Sequence, residues 1–215
     1  MIHVLDINNS IANDFLAELR DMEVQKDRMR FRKNLERMGE IFAYEISKTM
    51  EYEEKEILSS LGTAKCSVLK QQPILCPIMR AGLTFHQGFL NYFDKAESAF
   101  VSVYRNYEKD GSFEVELDYM SSPNLRDKTL ILLDSMIATG VSVEVSLRGL
   151  RTNYGEPKNI HVVSIISSVM GIDYVKRKLP AGTHIWTTAI DQELTAQAYI
   201  VPGLGDAGDL AFGEK

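Results

Sequence analysis

The chain has 215 residues, of which 45% are hydrophobic and 25% are charged, ordinary values for a globular protein with its own core. Its formal net charge of −6 and pI near 5.3 argue against a general nucleic-acid-binding surface. No stretch approaches the roughly 18 uninterrupted apolar residues of a membrane span, and the first residues do not resemble a signal peptide. The two cysteines, Cys66 and Cys76, match no metal or redox motif and suit a reducing compartment, so we expect a cytoplasmic protein.

The N-terminal quarter of the chain has a helical pattern. From about residue 12 to residue 50, apolar residues recur at steps of three and four, as in Phe31, Leu35, Met38 and Phe42. Six basic residues crowd the same region: Lys26, Arg28, Arg30, Arg32, Lys33 and Arg37. We favour the interpretation that this charged run forms a solvated helix face. Residues 1–62 are therefore predicted to be an N-terminal helical segment.

After this segment, strands and helices alternate. The predicted strands are Pro73–Ile78, Ala99–Tyr104, Leu130–Leu133, Ile160–Ile166 and His184–Thr188. The helices that fit between them are Leu83–Tyr92, Val143–Thr152 and Val169–Arg177. This order predicts an α/β fold, a parallel sheet with helices on both faces, within one domain of residues 1–215 whose core spans 63–198.

One insertion interrupts the alternation. Apolar and acidic residues alternate from Phe113 to Tyr119, which is the pattern of a strand with one wet face. The pair Asp110-Gly111, just before it, favours a tight turn. We therefore predict a β-hairpin over residues 100–121 that projects from the sheet. It could serve as a lid or as a dimer arm, and the sequence does not decide between them.

The most informative segment runs from a buried strand into a helix. Asp134 follows the apolar run Leu130–Leu133, and small and hydroxyl residues lead from it to Ser142. In open parallel sheets, ligands bind beyond the carboxyl ends of strands. Asp134 could accept hydrogen bonds from ribose hydroxyls, while Thr139, Gly140 and Ser142 could surround a phosphate at a helix N-terminus. The alternative is a turn in which Asp134 is only a surface cap.

Four segments resemble the motifs of the type I phosphoribosyltransferases and, within that group, the uracil phosphoribosyltransferase family. They are Pro77-Ile78-Met79-Arg80-Ala81-Gly82-Leu83, Tyr104-Arg105-Asn106, Asp134 to Ser142, and Tyr199-Ile200-Val201-Pro202-Gly203-Leu204-Gly205-Asp206-Ala207-Gly208-Asp209. The fourth segment is long and unusual in composition, which makes it the most specific. The order and spacing of the four also agree, so the resemblance covers nearly the whole chain.

The resemblance implies transfer of ribose phosphate from phosphoribosyl diphosphate to uracil, which yields UMP and diphosphate. It implies Mg²⁺ bound mainly through phosphoribosyl diphosphate rather than by side chains, and catalytic roles for Arg80, Asp134 and Asp206. The residues implied to bind phosphoribosyl diphosphate are Arg80, Ala81, Gly82, Arg105, Asp134, Ser135, Met136, Ile137, Ala138, Thr139, Gly140, Val141, Ser142 and Asp206. The residues implied to bind uracil are Met136, Ala138, Tyr199, Ile200, Gly205, Asp206 and Ala207, mostly in the C-terminal loop 199–215.

Uracil recognition has a simple physical requirement. The edge of the ring presents a carbonyl, an N–H and a second carbonyl, so the site must present donor, acceptor and donor. Backbone groups of a rigid loop can supply these, since glycines permit close approach and Pro202 stiffens the loop. Cytosine would leave buried polar groups unpaired, at roughly 1–3 kcal/mol each.

The chain departs from the family pattern at two positions of the third segment. Ser135 replaces the usual proline, and Val141 lies where a second glycine is common. Because a β-branched residue resists positive φ, the segment is expected to keep Val141 at a negative φ or to be strained.

The resemblance also bears on partners. Related enzymes are usually dimers or larger, so we expect a homo-oligomer that binds neither nucleic acid nor membrane. GTP activates some relatives and is a candidate effector here, with the basic N-terminal helix as a place to probe. Two other functions remain open, a non-catalytic nucleotide-sensing regulator with the same fold and phosphoribosyl transfer to another base.

Overall fold

The computed structural model describes residues 1–107 and 113–214, and for residues 105–107, 113 and 114 it describes the backbone only. The strands are β1 (Ile2–Val4), β2 (Tyr52–Ser59), β3 (Gly62–Leu69), β4 (Ile74–Met79), β5 (Glu97–Ser98), β6 (Phe100–Tyr107), β7 (Phe113–Ser121), β8 (Thr129–Leu133), β9 (Met136–Ile137), β10 (Asn159–Ser168), β11 (His184–Asp191), β12 (Glu193–Leu194) and β13 (Ile200–Val201). The α-helices are α1 (Ile11–Arg20), α2 (Arg28–Ser47), α3 (Gly82–Leu90), α4 (Val141–Tyr154), α5 (Val169–Lys178) and α6 (Ala207–Phe212).

The central sheet has the strand order β1-β11-β10-β8-β4-β6-β7. Every neighbouring pair along this order is parallel except β6 and β7, which are antiparallel. The predicted strands correspond to β4, β6, β8, β10 and β11, and the predicted helices to α3, α4 and α5. The predicted α/β fold with a mostly parallel sheet is therefore confirmed.

The hydrophobic core lies on both faces of this sheet. Ile131 and Leu133 of β8 pack in one cluster with residues of α1, α2 and α3. Leu130 and Leu132, one step along the same strand, pack in a second cluster with residues of α4 and α5. Because successive side chains of a strand point to opposite faces, a strand covered on both sides needs an unbroken apolar run. All four of these β8 side chains are fully buried, which confirms helices on both faces.

The N-terminal segment is less helical than its sequence pattern suggests. Asp27 accepts hydrogen bonds from the backbone N–H groups of Met29 (2.9 Å) and Arg30 (3.1 Å), and so begins a second helix instead of continuing the first. The predicted N-terminal helical segment is confirmed in α1 and α2, while its bounds of 1–62 also include β1 before α1 and β2 after α2. Strand β2 pairs only with β3, and both are largely exposed, so no buried stripe marks them in the sequence.

The predicted hairpin at residues 100–121 is present as β6 and β7, which pair from Phe100↔Ser121 to Tyr107↔Phe113. Its turn, with Asp110 and Gly111, lies outside the described residues. Strand β7 is the edge of the central sheet and packs against α4, where the Tyr154 hydroxyl donates to the Met120 carbonyl at 3.2 Å. The base of the hairpin is thus part of the sheet, where β6 pairs with β4 at Val101 and Ser102, and from Val103 to Tyr107 the pairing of β6 is with β7.

Within the described part of the chain, no helix combines the length and the apolar character that crossing a bilayer requires.

Candidate active site

Two of the predicted segments meet at the carboxyl edge of the sheet. Arg80 follows β4 and Asp134 follows β8, and these two strands are parallel neighbours with Pro77 opposite Leu133. Parallel neighbours end at the same edge, so the segment Pro77–Leu83 (the diphosphate segment, after its expected ligand) and the Asp134 turn lie side by side. Their approach is close, because a Cβ on Gly82 would lie 2.9 Å from the Leu133 carbonyl oxygen.

The Asp134 turn is fixed to β10 by backbone and side-chain hydrogen bonds. The Asp134 N–H donates to the Val163 carbonyl (2.9 Å), and the carbonyl of buried Ser135 accepts from the Ile165 N–H (3.1 Å). Further along, the Ser168 hydroxyl donates to the Ala138 carbonyl at 2.5 Å. These contacts hold the turn along its length, so its shape is set by the sheet rather than by a ligand.

At the end of this turn the chain enters α4 through a left-handed glycine. Gly140 has φ +82°, and a Cβ at this position would lie 2.8 Å from Val175 Cγ1. Among the described residues, positive φ outside glycine occurs only at Asp127 and Ala198, so Val141 has a negative φ as expected. Since Gly140 alone makes the left-handed step, a second glycine is not needed.

A pocket opens at this turn and at the start of α4. Its lining consists of Asp134, Met136, Ile137, Ala138, Thr139, Gly140, Ser142 and Val143, all predicted site residues except Val143. The first N–H groups of an α-helix have no acceptor within the helix and carry a partial positive charge. The pocket is therefore suited to an anion such as a phosphate.

The glycine-rich C-terminal loop begins on the far side of this edge. Ile200 pairs with Leu194 in a short antiparallel ladder, β12 with β13, and the Val201–Pro202 peptide is cis. The Gly203 N–H then donates to the Asp191 carboxylate at the end of β11 (3.0 Å). Of the residues expected to bind uracil, Ile200 and Ala207 are buried, whereas Tyr199 is 43% exposed.

Asp206 begins the short helix α6. Its Oδ1 atom accepts hydrogen bonds from the backbone N–H groups of Gly208 (2.9 Å) and Asp209 (3.1 Å). This is the N-cap role that a carboxylate at this position can fill without any ligand. The described hydrogen bonds of Asp206 use only Oδ1.

The loop returns to β4 through Arg80. The Arg80 guanidinium donates to the Asp209 carboxylate (2.6 Å) and to the Gly213 carbonyl (3.0 Å). The C-terminal segment is thus attached to the end of β11 at Gly203 and to the end of β4 at Asp209. Because β10 and β8 lie between β11 and β4, it crosses the sheet edge at which the Asp134 turn begins.

Arg105 is the one predicted site residue that cannot be placed fully. Its backbone lies in β6, next to β4, while its side chain lies outside the described part of the structure. Its neighbour Tyr104 is 47% exposed and donates to the Glu116 carboxylate at 2.6 Å. The role inferred for Arg105 stays a prediction.

His86 lies close to the diphosphate segment along the chain but has the features of a core residue. It is 6% exposed on α3, and its Nε2 atom is 2.9 Å from the Ser98 hydroxyl. Burial lowers the pKa of His86 to about 4, so the ring is neutral near neutral pH. We give it a structural role.

A resident metal ion would need a cluster of ligand side chains. Among the described residues, no three His, Cys, Asp or Glu side chains are placed to hold an ion. Asp206 caps a helix and Asp209 pairs with Arg80, while Asp134 lines the pocket and accepts from the Met136 N–H at 3.4 Å. This donor set fits an ion that brings most of its ligands from a phosphate-bearing substrate, as Mg²⁺ commonly does.

Two residues of this edge were missed by the sequence prediction. Arg20, at the end of α1, pairs with Asp191 at 2.8 Å, and both contact Gly203. Asp191 is the last residue of a parallel strand, much as Asp134 directly follows one. A carboxylate at a strand end indicates a candidate site, but the predicted strand ended at Thr188, so Asp191 was not recognised in that position. Nothing local distinguishes Arg20 from the other arginines of the N-terminal region.

Comparisons with known proteins agree with this geometry. A family model described as uracil phosphoribosyltransferase matches residues 7–214. The chain is 50% identical over 215 residues to the uracil phosphoribosyltransferase of Porphyromonas gingivalis, covering 100% of this chain and 99% of that protein. It is 36% identical over 204 residues to that of Pyrococcus furiosus, covering 94% and 85%.

Solved structures show the same relationship at the level of the fold. The AQ2163 protein from Aquifex aeolicus is 30% identical, with a TM-score of 0.88 over 99% of this chain and 98% of that one. An adenine phosphoribosyl transferase from Trypanosoma brucei, 9% identical, shares only the fold, with a TM-score of 0.55 over 88% and 83%. On the family model and the full-length matches, the chain belongs to the uracil phosphoribosyltransferase family.

Proposed function

We propose that this chain, as a single domain, transfers the ribose phosphate of phosphoribosyl diphosphate to uracil, giving UMP and diphosphate. The observation that carries the proposal is the course of the C-terminal loop, held by Asp191 at one end and by Arg80 at the other. This course brings the loop proposed to bind the base and the turn proposed to bind phosphate to one sheet edge, which supports the proposal. The family of the chain supports the same reaction.

The ribose phosphate is proposed to bind at the Asp134 turn. The helix N-terminus of α4, with Thr139 and Ser142 beside it, supplies N–H and hydroxyl donors for the phosphate. Asp134 supplies an acceptor for the ribose hydroxyls. Because the turn is already hydrogen-bonded to β10, binding requires little reordering of the protein, which favours affinity.

Uracil is proposed to bind through backbone groups of the C-terminal loop, chiefly Ile200 and Gly205 to Ala207, with Met136 and Ala138 beside the ring. Gly205 has φ +88°, so its peptide groups take an orientation that other residues rarely adopt. Backbone donors and acceptors read the carbonyl and N–H edge of uracil without adding charge. A base with an amino group in place of a carbonyl would set donor against donor.

In the reaction, the bond between the anomeric carbon and diphosphate breaks while the bond to uracil N1 forms, and the N1 proton passes to the Asp206 carboxylate. Negative charge grows on the departing diphosphate and is stabilised by the Arg80 guanidinium and the loop N–H groups. The contacts with Asp209 and Gly213 use two N–H groups of Arg80, and the guanidinium has others to offer. We assign Asp206 to the base side of this step, through the carboxylate oxygen that does not cap α6.

Mg²⁺ is proposed to arrive with phosphoribosyl diphosphate, with Asp134 as the side chain beside it. When bound, the ion neutralises part of the diphosphate charge.

The test is a radiolabelled-uracil assay with phosphoribosyl diphosphate and Mg²⁺. We expect label to appear in UMP with uracil, and no turnover with cytosine, hypoxanthine or orotate. Label that stays in uracil at saturating co-substrate would refute the proposal. In that case, a thermal-shift measurement with UMP tests for a non-catalytic nucleotide-sensing regulator. A ligand at about 100 times its Kd adds about 2.7 kcal/mol to the free energy of unfolding, so UMP binding would raise the melting temperature.

We further propose a homo-oligomer in which the hairpin β2–β3 contacts a second copy of the chain. An isolated two-stranded hairpin is marginally stable in water, and Leu58 and Leu61 at its tip are 84% and 99% exposed. Light scattering should give a mass above that of the monomer, and a Leu58→Glu, Leu61→Glu double variant should lower it. A monomeric wild type would contradict this proposal.

We also propose GTP as a candidate activator and the cytoplasm as the cellular compartment. Most basic side chains of the N-terminal region are already engaged, in contacts of Lys26 with Glu23, Arg30 with Glu18, Lys33 with Glu36, Arg32 with the Ala211 carbonyl and Arg37 with Asn34. These contacts within the protein already use much of the positive charge of the region, and adding GTP to the uracil assay tests the proposed activation directly. The two free thiols favour the cytoplasm.

A further inference from the structure

The start of the C-terminal loop is held by a two-pronged ion pair. Arg20 Nη1 lies 2.8 Å from Asp191 Oδ2, and Arg20 Nη2 lies 2.8 Å from Asp191 Oδ1. Asp191 is the last residue of β11 and is 7% exposed, while Arg20 is the last residue of α1. The pair therefore joins the N-terminal helix to the carboxyl edge of the sheet.

This ion pair also binds both backbone groups of one loop residue. The Gly203 N–H donates to Asp191 Oδ2 at 3.0 Å, and the Gly203 carbonyl accepts from Arg20 Nη1 at 2.9 Å. A carboxylate can take the N–H and a guanidinium can take the carbonyl, so the pair satisfies donor and acceptor together. Gly203 is thereby fixed in position and in orientation.

The position of Gly203 determines where the next residues of the loop lie. Leu204 is buried (3% exposed) and Gly205, two residues on, is one of the residues proposed to contact the base. Recognition by backbone groups has no side-chain rotamer that could compensate for a displaced loop. A misplacement of about 1 Å in such a site can reduce turnover about 100-fold.

We infer that Arg20 and Asp191 are positioning residues for uracil. They fix the backbone of the C-terminal loop through Gly203, so that the loop is set for the pyrimidine before the pyrimidine binds. Neither residue lines the phosphate pocket, so the effect falls on the base and not on phosphoribosyl diphosphate. The inference rests on the proposed uracil transfer and adds two residues to it.

A purely structural role for the pair makes a different prediction. Loss of a stabilising ion pair lowers the melting temperature and the fraction of active enzyme, which lowers the apparent kcat and leaves each KM unchanged. A positioning role raises the KM for uracil selectively. The ratio of the KM for uracil to the KM for phosphoribosyl diphosphate therefore separates the two roles: it stays constant for a structural role and rises for a positioning role.

The chain offers a matched control in the same N-terminal region. Arg30 makes a two-pronged pair with Glu18 of α1, with both contacts at 2.7 Å, and this pair does not touch the C-terminal loop. Arg30→Gln removes the same two-pronged contact as Arg20→Gln from a more exposed pair, whose side chains are 41% and 31% exposed against 22% and 8%. A difference between these two variants therefore reports on the connection to Gly203.

The experiment measures the KM for uracil and for phosphoribosyl diphosphate, with melting temperatures, in wild type, Arg20→Gln, Arg20→Lys and Arg30→Gln. We expect Arg20→Gln to raise the KM for uracil about tenfold or more and to change the other KM by less than about twofold. Arg20→Lys keeps the charge, and with it the folded protein, but cannot span both carboxylate oxygens and the Gly203 carbonyl, so it should shift in the same direction. Arg30→Gln should leave both KM values within about twofold of wild type.

An unchanged uracil KM in both Arg20 variants, or an equal rise in the two KM values, would overturn the inference while uracil transfer stands. The same holds if Arg30→Gln raises the uracil KM as much as Arg20→Gln. A wild type that makes no UMP would overturn the proposed function, and this inference with it.

Discussion

Replacing Gly140 by alanine tests the turn that is proposed to hold the ribose phosphate. Gly140 has φ +82°, where a residue with a Cβ is less stable by about 1–2 kcal/mol. The new methyl group would also lie 2.8 Å from Val175 Cγ1 and 3.0 Å from the Gly171 carbonyl oxygen. Overpacking of this kind costs about 1–3 kcal/mol.

These two effects lower the free energy of unfolding by about 2–5 kcal/mol in Gly140→Ala. For a chain of this length, each 1 kcal/mol lowers Tm by about 2–4 °C, so Tm should fall by about 4–20 °C. The KM for phosphoribosyl diphosphate should rise in the same variant, because relief of the contact with Val175 moves the start of α4. Thermal melts followed by circular dichroism, together with initial rates, give both quantities.

Gly182→Ala is the matched control. Gly182 has φ +89°, but a Cβ there would meet nothing within 4 Å. It should therefore lose only the backbone contribution of about 1–2 kcal/mol, or about 2–8 °C in Tm, and keep the KM of the wild type. A Tm loss in Gly140→Ala no larger than in Gly182→Ala would refute the packing argument.

Three further predictions concern single side chains. Asp206→Asn should keep Tm within about 2 °C, because asparagine caps helices as well as aspartate does. It should lower kcat about 100-fold, because the carboxylate is lost. A fully active variant would contradict the catalytic role proposed for Asp206. Burial raises the pKa of the Cys76 thiol, so Ellman's reagent should modify Cys66 but not Cys76 in the native protein and both in denaturant; two fast native thiols would contradict this. Burial lowers the pKa of His86 from 6.5 to about 4, so between these pH values the unfolded chain binds more protons than the folded one. The free energy of unfolding therefore falls as the pH falls below 6.5, by about 2 kcal/mol at pH 5. His86→Gln should therefore lose less Tm than wild type between pH 7 and pH 5, and an equal loss would show that His86 does not titrate in this way.

The sequence predicted those parts of the site that a single segment encodes. Leu130–Leu133 is buried on both faces, which leaves an unbroken apolar run, and Asp134 is recognisable because a carboxylate ends that run. Likewise, the left-handed step at the phosphate turn needs a glycine, and Gly140 is that glycine. Local composition is sufficient in these cases because the physical demand is local.

Long-range contacts could not be predicted in this way. Arg20 and Asp191 are 171 residues apart in the chain, and Arg80 and Asp209 are 129 residues apart. A charged residue on a helix has the same local pattern whether it faces water or a carboxylate on another element. The hairpin β2–β3 escaped prediction for a related reason, since both of its strands are largely exposed and neither has a buried face that would produce a period.

The contact between Arg80 and Asp209 couples the two halves of the site through one positive charge. An anion that displaces Asp209 from the guanidinium must first break that contact, so its measured affinity is lower by the strength of the contact. By linkage, binding of this anion destabilises the position of α6. The contact that holds α6 lowers the affinity for the anion by the same free energy. An anion that uses the remaining N–H groups of Arg80 meets no such penalty. For the diphosphate proposed to bind at Arg80, the cost of binding therefore depends on which N–H groups of the guanidinium it takes.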